Sequence, residues 1–271
     1  MPTKEAEGVR PHRLPRPSGA PDHLAVHTSR FVTVSFTITR GVLMQVNIDY
    51  RPSYATAKVS LDPGEDVVVE GGAMVAMSSD LELQTKARGG FLKSLGRATF
   101  GGESFFLNTY SAPASGGMVY LAPALPGDMK VLELSNETLM VQSGGYIASS
   151  PSLNVDTKWS GAKTFFASEG LVMLKVHGTG TLIISAYGAI EELVLGPGEK
   201  FTVDTGHLVT FTEGMGFDIR KVGGWKSTLL SGEGLVVDLT GPGTATLQTR
   251  SEDAFLSWII PKLPAQNASR A

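Results

Sequence analysis

The chain of 271 residues contains no cysteine. That absence excludes disulfide frameworks, thiolate zinc sites and thiol nucleophiles, and it is compatible with a reducing compartment. No uninterrupted run of about 18 apolar residues exists to form a transmembrane helix. Residues 1–30 lack the apolar core and cleavage site of a secretory signal, so a cytoplasmic location is expected. Histidine is scarce: of five, only His177 and His207 lie beyond residue 43. No His-x-His pair occurs, so a histidine-based metal set would need carboxylate help, and no metal or cofactor is expected. Positive charge is also short where it would matter. Residues 1–43 hold six Lys/Arg against three Asp/Glu, leaving 17 against 23 in the rest of the chain. A net acidic body argues against nucleic acid as a partner, since phosphate contacts need cations.

Glycine, by contrast, is abundant, with 32 residues where average usage of roughly 7% would give fewer. Together with frequent Val, Thr and Leu, this reads as many short strands joined by tight turns. From Val46 to about Arg250 the hydrophobic period is almost everywhere two. Val67–Val69, Met74–Met77, Phe105–Tyr110, Val131–Leu134, Leu171–Val176, Gly180–Ala186, Leu208–Phe211 and Leu235–Thr240 all read as strands.

The chain also echoes itself. Leu61-Asp62-Pro63-Gly64-Glu65 returns as Leu125-Pro126-Gly127-Asp128 and as Leu195-Gly196-Pro197-Gly198-Glu199. In each, Pro-Gly suits a type II turn. Gly117-Met118-Val119, Gly180-Thr181-Leu182 and Gly243-Thr244-Ala245 repeat at equal intervals of 63 residues. His177-Gly178-Thr179-Gly180 and Thr240-Gly241-Pro242-Gly243 read as matched hairpin connections. The expected fold is all-β: three pseudo-symmetric copies of a small double-stranded β-helix or sandwich unit around a pseudo-threefold axis, with a short C-terminal helix. The copies run roughly 44–121, 122–186 and 187–250 within one domain of residues 44–263, with the helix at 251–260 and a flexible tail at 264–271. Residues 1–43, rich in Pro, Arg and Ser, read as a disordered extension, and Met44 looks like a natural start.

At this point several segments together resemble a known family. Gly72-Ala73-Met74-Val75, Gly89-Gly90-Phe91 with Arg97, Gly102-Glu103-Ser104-Phe105-Phe106, Leu125-Pro126-Gly127-Asp128 and Gly241-Pro242-Gly243-Thr244 with Gln248-Thr249-Arg250 are similar to the family named after altered inheritance of mitochondria protein 24. The resemblance spans roughly Met44 to Leu263. It implies three-copy β proteins whose unit is similar to the tryptophan RNA-binding attenuation protein. It implies no activity, because prokaryotic members have none established; mitochondrial members are associated with inner-membrane organisation.

Candidate chemistry is thin. Neither His177 nor His207 lies near a Gly-x-Ser-x-Gly elbow, and His207 is matched by Ala73 and Tyr146 in the sister copies, so no catalytic residue is assigned. Gly161-Ala162-Lys163-Thr164 and Gly224-Trp225-Lys226-Ser227 carry one residue too many between Gly and Lys for a phosphate loop. Glu103, Glu169 and Glu233 recur before apolar strands and read as turn acceptors, with a cation site as the alternative. The best candidate interaction surface is Phe91, Leu92, Lys93, Leu95 and Arg97, apolar on one helical face and basic on another. Its bland reading is a helix covering one end of the sheets. The C-terminal helix, with Ser251 as N-cap and Pro261 as stop, crowds Phe255, Trp258 and Ile259 together as a candidate oligomer contact on the core or between subunits. The expected role is a non-enzymatic scaffold or interaction protein, homo-oligomeric, with a membrane surface or protein as partner. The alternative is a small-molecule binder with a pocket between copies.

Overall fold

In a computed structural model of the chain, the described residues are 44–84, 98–100, 103–105, 107–156, 172–221 and 235–263. They fold as antiparallel β-sheets followed by one short helix near the C-terminus. Residues 1–43, the candidate surface Phe91, Leu92, Lys93, Leu95 and Arg97, and Lys163, Glu169, Lys226 and Glu233 all lie outside the described residues.

The first stretch contains β1 (Gln45–Asp49), β2 (Thr56–Leu61), β3 (Asp66–Glu70), β4 (Met74–Met77), β5 (Glu82–Gln84), the ribbon β6 (Ala98–Phe100) and β7 (Glu103–Phe105), β8 (Leu107–Ser111) and β9 (Gly117–Leu121). Strand β9 pairs with both β2 and β4, while β8 pairs with both β3 and β5. The middle stretch is built on two long strands, β10 (Gly127–Gln142) and β13 (Met173–Tyr187), with β11 (Tyr146–Ser149) and β12 (Leu153–Asp156) between them. The second half of β13 pairs with the first half of β10 and with β11. Its first half pairs with the second half of β10 and with β12. The last stretch contains β14 (Ile190–Leu195), β15 (Lys200–Asp204), β16 (Leu208–Thr212), β17 (Gly216–Lys221), β18 (Leu235–Thr240) and β19 (Gly243–Gln248). Here β19 pairs with β14 and β16, and β18 with β15 and β17.

Order and pairing are thus the same in residues 56–121, 127–187 and 190–248. Register agrees as well. Leu61 faces Gly117, Leu134 faces Gly180 and Leu195 faces Gly243. A one-residue irregularity falls at matched points, between Met74 and Ala76, Tyr146 and Ala148, and Leu208 and Thr210.

These alignments correct two expectations. The turn after the first strand holds Gly64 at φ 75° and Gly198 at φ 76°, but its match in the middle stretch is Asn136 at φ 58°, not Gly127. Asn tolerates this left-handed conformation, so the middle stretch has no Pro-Gly there, and Pro126-Gly127 instead opens β10. Nor are residues 177–180 and 240–243 hairpins. β18 and β19 share no pairing with each other, and β13 runs unbroken through Gly178 and Gly180. Residues 177–180 lie inside β13 where its partners change from β12 to β11, and residues 240–243 are a corner where the chain leaves the three-stranded sheet for the ten-stranded one; Gly178, at φ 125°, and Gly243, at φ 155°, take positive φ there.

The alternation read from the sequence becomes burial: β2 and β3 bury every second side chain, and Val59, Val67 and Val69 are fully enclosed. Three apolar clusters result, and the first two borrow from the next stretch. The first joins Val59, Val67, Val69 and Val119 to Ile147 and Ala148 of β11. The second joins Leu174, Leu182 and Ile184 to Val209 of β16. The third gathers Leu195, Val203, Phe211 and Leu239. The borrowing follows two seams, where β3 pairs with β11 and β10 pairs with β16.

Candidate functional site

After β19 the chain turns into α1 (Glu252–Ile259). Ser251 starts it in an extended conformation, its Oγ accepting from the Ala254 N–H at 3.4 Å, while Glu252 and Asp253 place negative charge against the positive end of the helix dipole. Pro261 does not stop the chain directly; it sits inside a single 3-10 turn, Ile260–Lys262, where a missing N–H is tolerated. Lys262 closes the end. Its Nζ donates to the Trp258 carbonyl at 2.8 Å and lies 4.6 Å from the Trp258 ring centre.

No residue of α1 is buried. Phe255 meets the edge of Tyr187 with ring centres 6.3 Å apart and lies 6.2 Å from Trp258. Trp258 is 57% exposed and Ile260 59%, with Leu256 and Leu263 also exposed, while Ile259 is half-buried. Of the predicted contact residues, then, Phe255 touches the sheet and Trp258 stands out into solvent. Such a concentration of exposed apolar side chains is what an interaction surface looks like.

Beneath the start of α1 lies a cavity of about 290 Å³, lined by Glu70, Gln142, Tyr187, Gln248, Ser251 and Asp253 among others. Gln248 is held from three sides. Its side chain accepts from the Tyr187 N–H at 2.9 Å and donates to the Gly206 carbonyl at 2.8 Å, and its own carbonyl lies 2.7 Å from Nδ1 of His207. Nearby, the fully buried Tyr146 hydroxyl meets Ser149 Oγ at 2.8 Å. Burial pushes its pKa well above the usual phenol value; the Ser149 contact opposes this and the Glu70 charge adds to it. Glu70 and Gln142 close matched strands, β3 and β10, just before a Gly-containing turn. That shared position was the signal in the sequence that marks the cavity wall, and reading the histidines and lysines for chemistry passed over it.

His207 is matched structurally by Ala73 and Gly145, each the residue before its third strand, rather than by Tyr146. His177 lies on β13 opposite Thr138 and Asn154. Among the described residues, no group of three or more His, Asp or Glu side chains could hold a metal ion, and no helix is long and apolar enough to cross a membrane.

Comparison with known proteins agrees with this architecture. An uncharacterized protein of Streptococcus pyogenes serotype M6 is 26% identical over 232 residues, covering 83% of this chain and 93% of its own. The crystal structure of the Streptococcus pyogenes protein SPYM3_0169 superposes with a TM-score of 0.66 at 26% identity, over 81% of this chain and all of that one. Residues 46–250 match the model of the family described as Mitochondrial biogenesis AIM24, and the chain belongs to that family.

Proposed function

We propose that this protein is a non-enzymatic scaffold or interaction protein, built from three like β units and acting in the cytoplasm as a homo-oligomer. The three-unit part is supported by matched strand order, pairing and register in residues 56–121, 127–187 and 190–248. The interaction part rests on one observation: α1 and the turn that follows it hold Leu256, Trp258 and Ile260 exposed to solvent, on a helix capped by Ser251. A helix kept for stability alone would bury that face. Glu252 and Asp253 against Lys262 leave α1 slightly acidic, which favours an apolar protein surface over an anionic membrane.

The test compares wild type with Trp258→Ala/Ile260→Ser in two measurements: molar mass in solution, and co-sedimentation with neutral and with anionic phospholipid vesicles. The expected result is self-association, weakened by the double substitution, without vesicle binding. Vesicle binding lost in the variant would move the partner to a membrane. A wild type that neither associates nor binds vesicles would defeat the reading.

A second reading, a small-molecule binder, is favoured by the cavity of about 290 Å³ with its converging Glu70, Gln142 and Tyr187, near the lower end for ligand sites. Native mass spectrometry of protein purified without denaturant decides it: a retained small mass, absent from a Gln142→Leu variant, supports a binder.

A further inference from the structure

Among the described residues, two strand edges lack the neighbour that their counterparts have. In the first seam Val69 pairs with Ala148 and Val68 with Ser149. In the second, Val141 pairs with Thr210 and Met140 with Phe211. Each seam joins the second strand of one unit to the third strand of the next. Carrying the same positions forward, the second strand of the last unit is β15 and the third strand of the first unit is β4. The matching pairs would be Val203 with Ala76 and Thr202 with Met77. Among the described residues, however, β15 pairs only with β18 and β4 only with β9, each at the end of its sheet.

Burial follows the same division. Ile147 of β11 and Val209 of β16 are 1% and 0% exposed, each inserted into the apolar cluster of the preceding unit. Their counterpart on β4, Val75, is 60% exposed. On the other side of the seam Leu139 is 8% exposed, and its counterpart Phe201 is 48% exposed. Met74, Val75, Ala76 and Met77 are all exposed, with no charge or proline among them. Natural edge strands are ordinarily blunted by such residues because an open, apolar edge invites pairing.

We propose that these edges are the two halves of a self-association seam, in which β15 of one chain pairs antiparallel with β4 of a second copy and Val75 of that second copy enters the first chain's last apolar cluster. The proposal deepens the scaffold reading and rests on its three-unit part, since like units are what make the two edges complementary. The occupant is a second copy because this chain already builds the same seam twice, in the same register, from its own strands. The contact is head-to-tail, so it propagates: repeated addition closes a ring or extends a filament. Each added chain covers one free edge and presents another.

The cysteine-free chain allows a direct test. Facing residues in an antiparallel pair lie about 4.5–5.5 Å apart, within disulfide range. Thr202→Cys chains mixed with Met77→Cys chains and oxidised are expected to give a disulfide dimer at least about tenfold above either variant oxidised alone. Wild type is expected to show at least twice the 28.7 kDa chain mass in solution, and Val75→Lys a lower mass than wild type at the same concentration. Equal dimer yields, a single-chain wild type, or a disulfide forming within one chain in the Thr202→Cys/Met77→Cys double variant would each overturn the proposal. Val68→Cys/Ser149→Cys reports the internal seam separately. If that disulfide forms within the chain and the mixed one does not, the association fails while the three-unit reading stands. If the internal one fails too, both fall.

Discussion

Arg51 grips Asp128 through both carboxylate oxygens, Nε to Oδ1 at 2.7 Å and Nη2 to Oδ2 at 2.9 Å. Oδ1 also accepts from the Met129 N–H at 2.8 Å. The pair ties the turn before β2 to the start of β10, and Asp128 is almost fully buried while Arg51 remains half exposed. Truncating Arg51 would leave a buried carboxylate with only its backbone donor. Arg51→Ala is therefore expected to cost about 2 kcal/mol, within the range for hydrogen bonds to charged groups, seen as a lower urea midpoint at pH 7.

The same pair sets a pH dependence. Burial works to raise the Asp128 pKa, but the Arg51 hydrogen bonds, the Met129 N–H and the Arg51 charge together hold it below the usual 3.8. A depressed folded-state pKa means that this stabilisation is complete well above pH 3.8 and is lost as pH falls through the lower folded value. The stability difference between wild type and Arg51→Ala should accordingly be constant from pH 7 to about 5 and shrink in stronger acid. Urea titrations of both proteins across that range check it; a difference that widens in acid would contradict the assigned cause.

Two kinds of glycine should respond differently to alanine. A Cβ on Gly127 would collide with the Ala186 carbonyl oxygen, and one on Gly241 would lie 2.7 Å from the Leu195 carbonyl oxygen. Backbone cannot step aside without breaking the β10–β13 ladder in the first case or the corner after β18 in the second. Gly64 and Gly198 have open space around them and only their positive φ to defend. We expect Gly127→Ala to cost about 3 kcal/mol, as overpacking at rigid positions does, and Gly198→Ala about 1 kcal/mol for the left-handed conformation. Thermal unfolding of the two variants side by side tests the order.

Much of the fold was legible because its signals are local. Period-two alternation located β3, β4, β16 and β18, and Ser251 followed by Glu252 and Asp253 located the start of α1. The correspondence between stretches was harder to read, because Asn136 does in the middle one what Gly64 and Gly198 do elsewhere, and Pro126-Gly127 offered a false match nine residues early. Residues 177–180 and 240–243 looked like hairpins because Gly-rich segments also serve where a strand changes partners or sheets, and only the partners of the flanking strands distinguish them. The cavity was invisible for a related reason: Glu70, Gln142 and Gln248 are far apart in the chain and converge only through the sheets. No periodicity records which edges remain open.

The seams make a last contrast measurable. Val209 and Val75 hold the same place in their strands, yet Val209 is enclosed, close enough to Gly145 that a Cβ there would lie 2.8 Å from its Cγ1, whereas Val75 faces solvent. Shortening Val209 to alanine removes two buried methyl groups and leaves a cavity between β16 and the middle stretch, so a loss of about 2 kcal/mol is expected. The same change at Val75 should leave the unfolding midpoint of a dilute sample within about 0.5 kcal/mol of wild type, as at other exposed sites. At higher concentration the two proteins should part. If Val75 is buried by a second copy, wild type gains stability with concentration through mass action, and Val75→Ala gains less. Unfolding midpoints across a hundredfold range of protein concentration would show this as a slope that the Val75 substitution flattens and the Val209 substitution merely displaces.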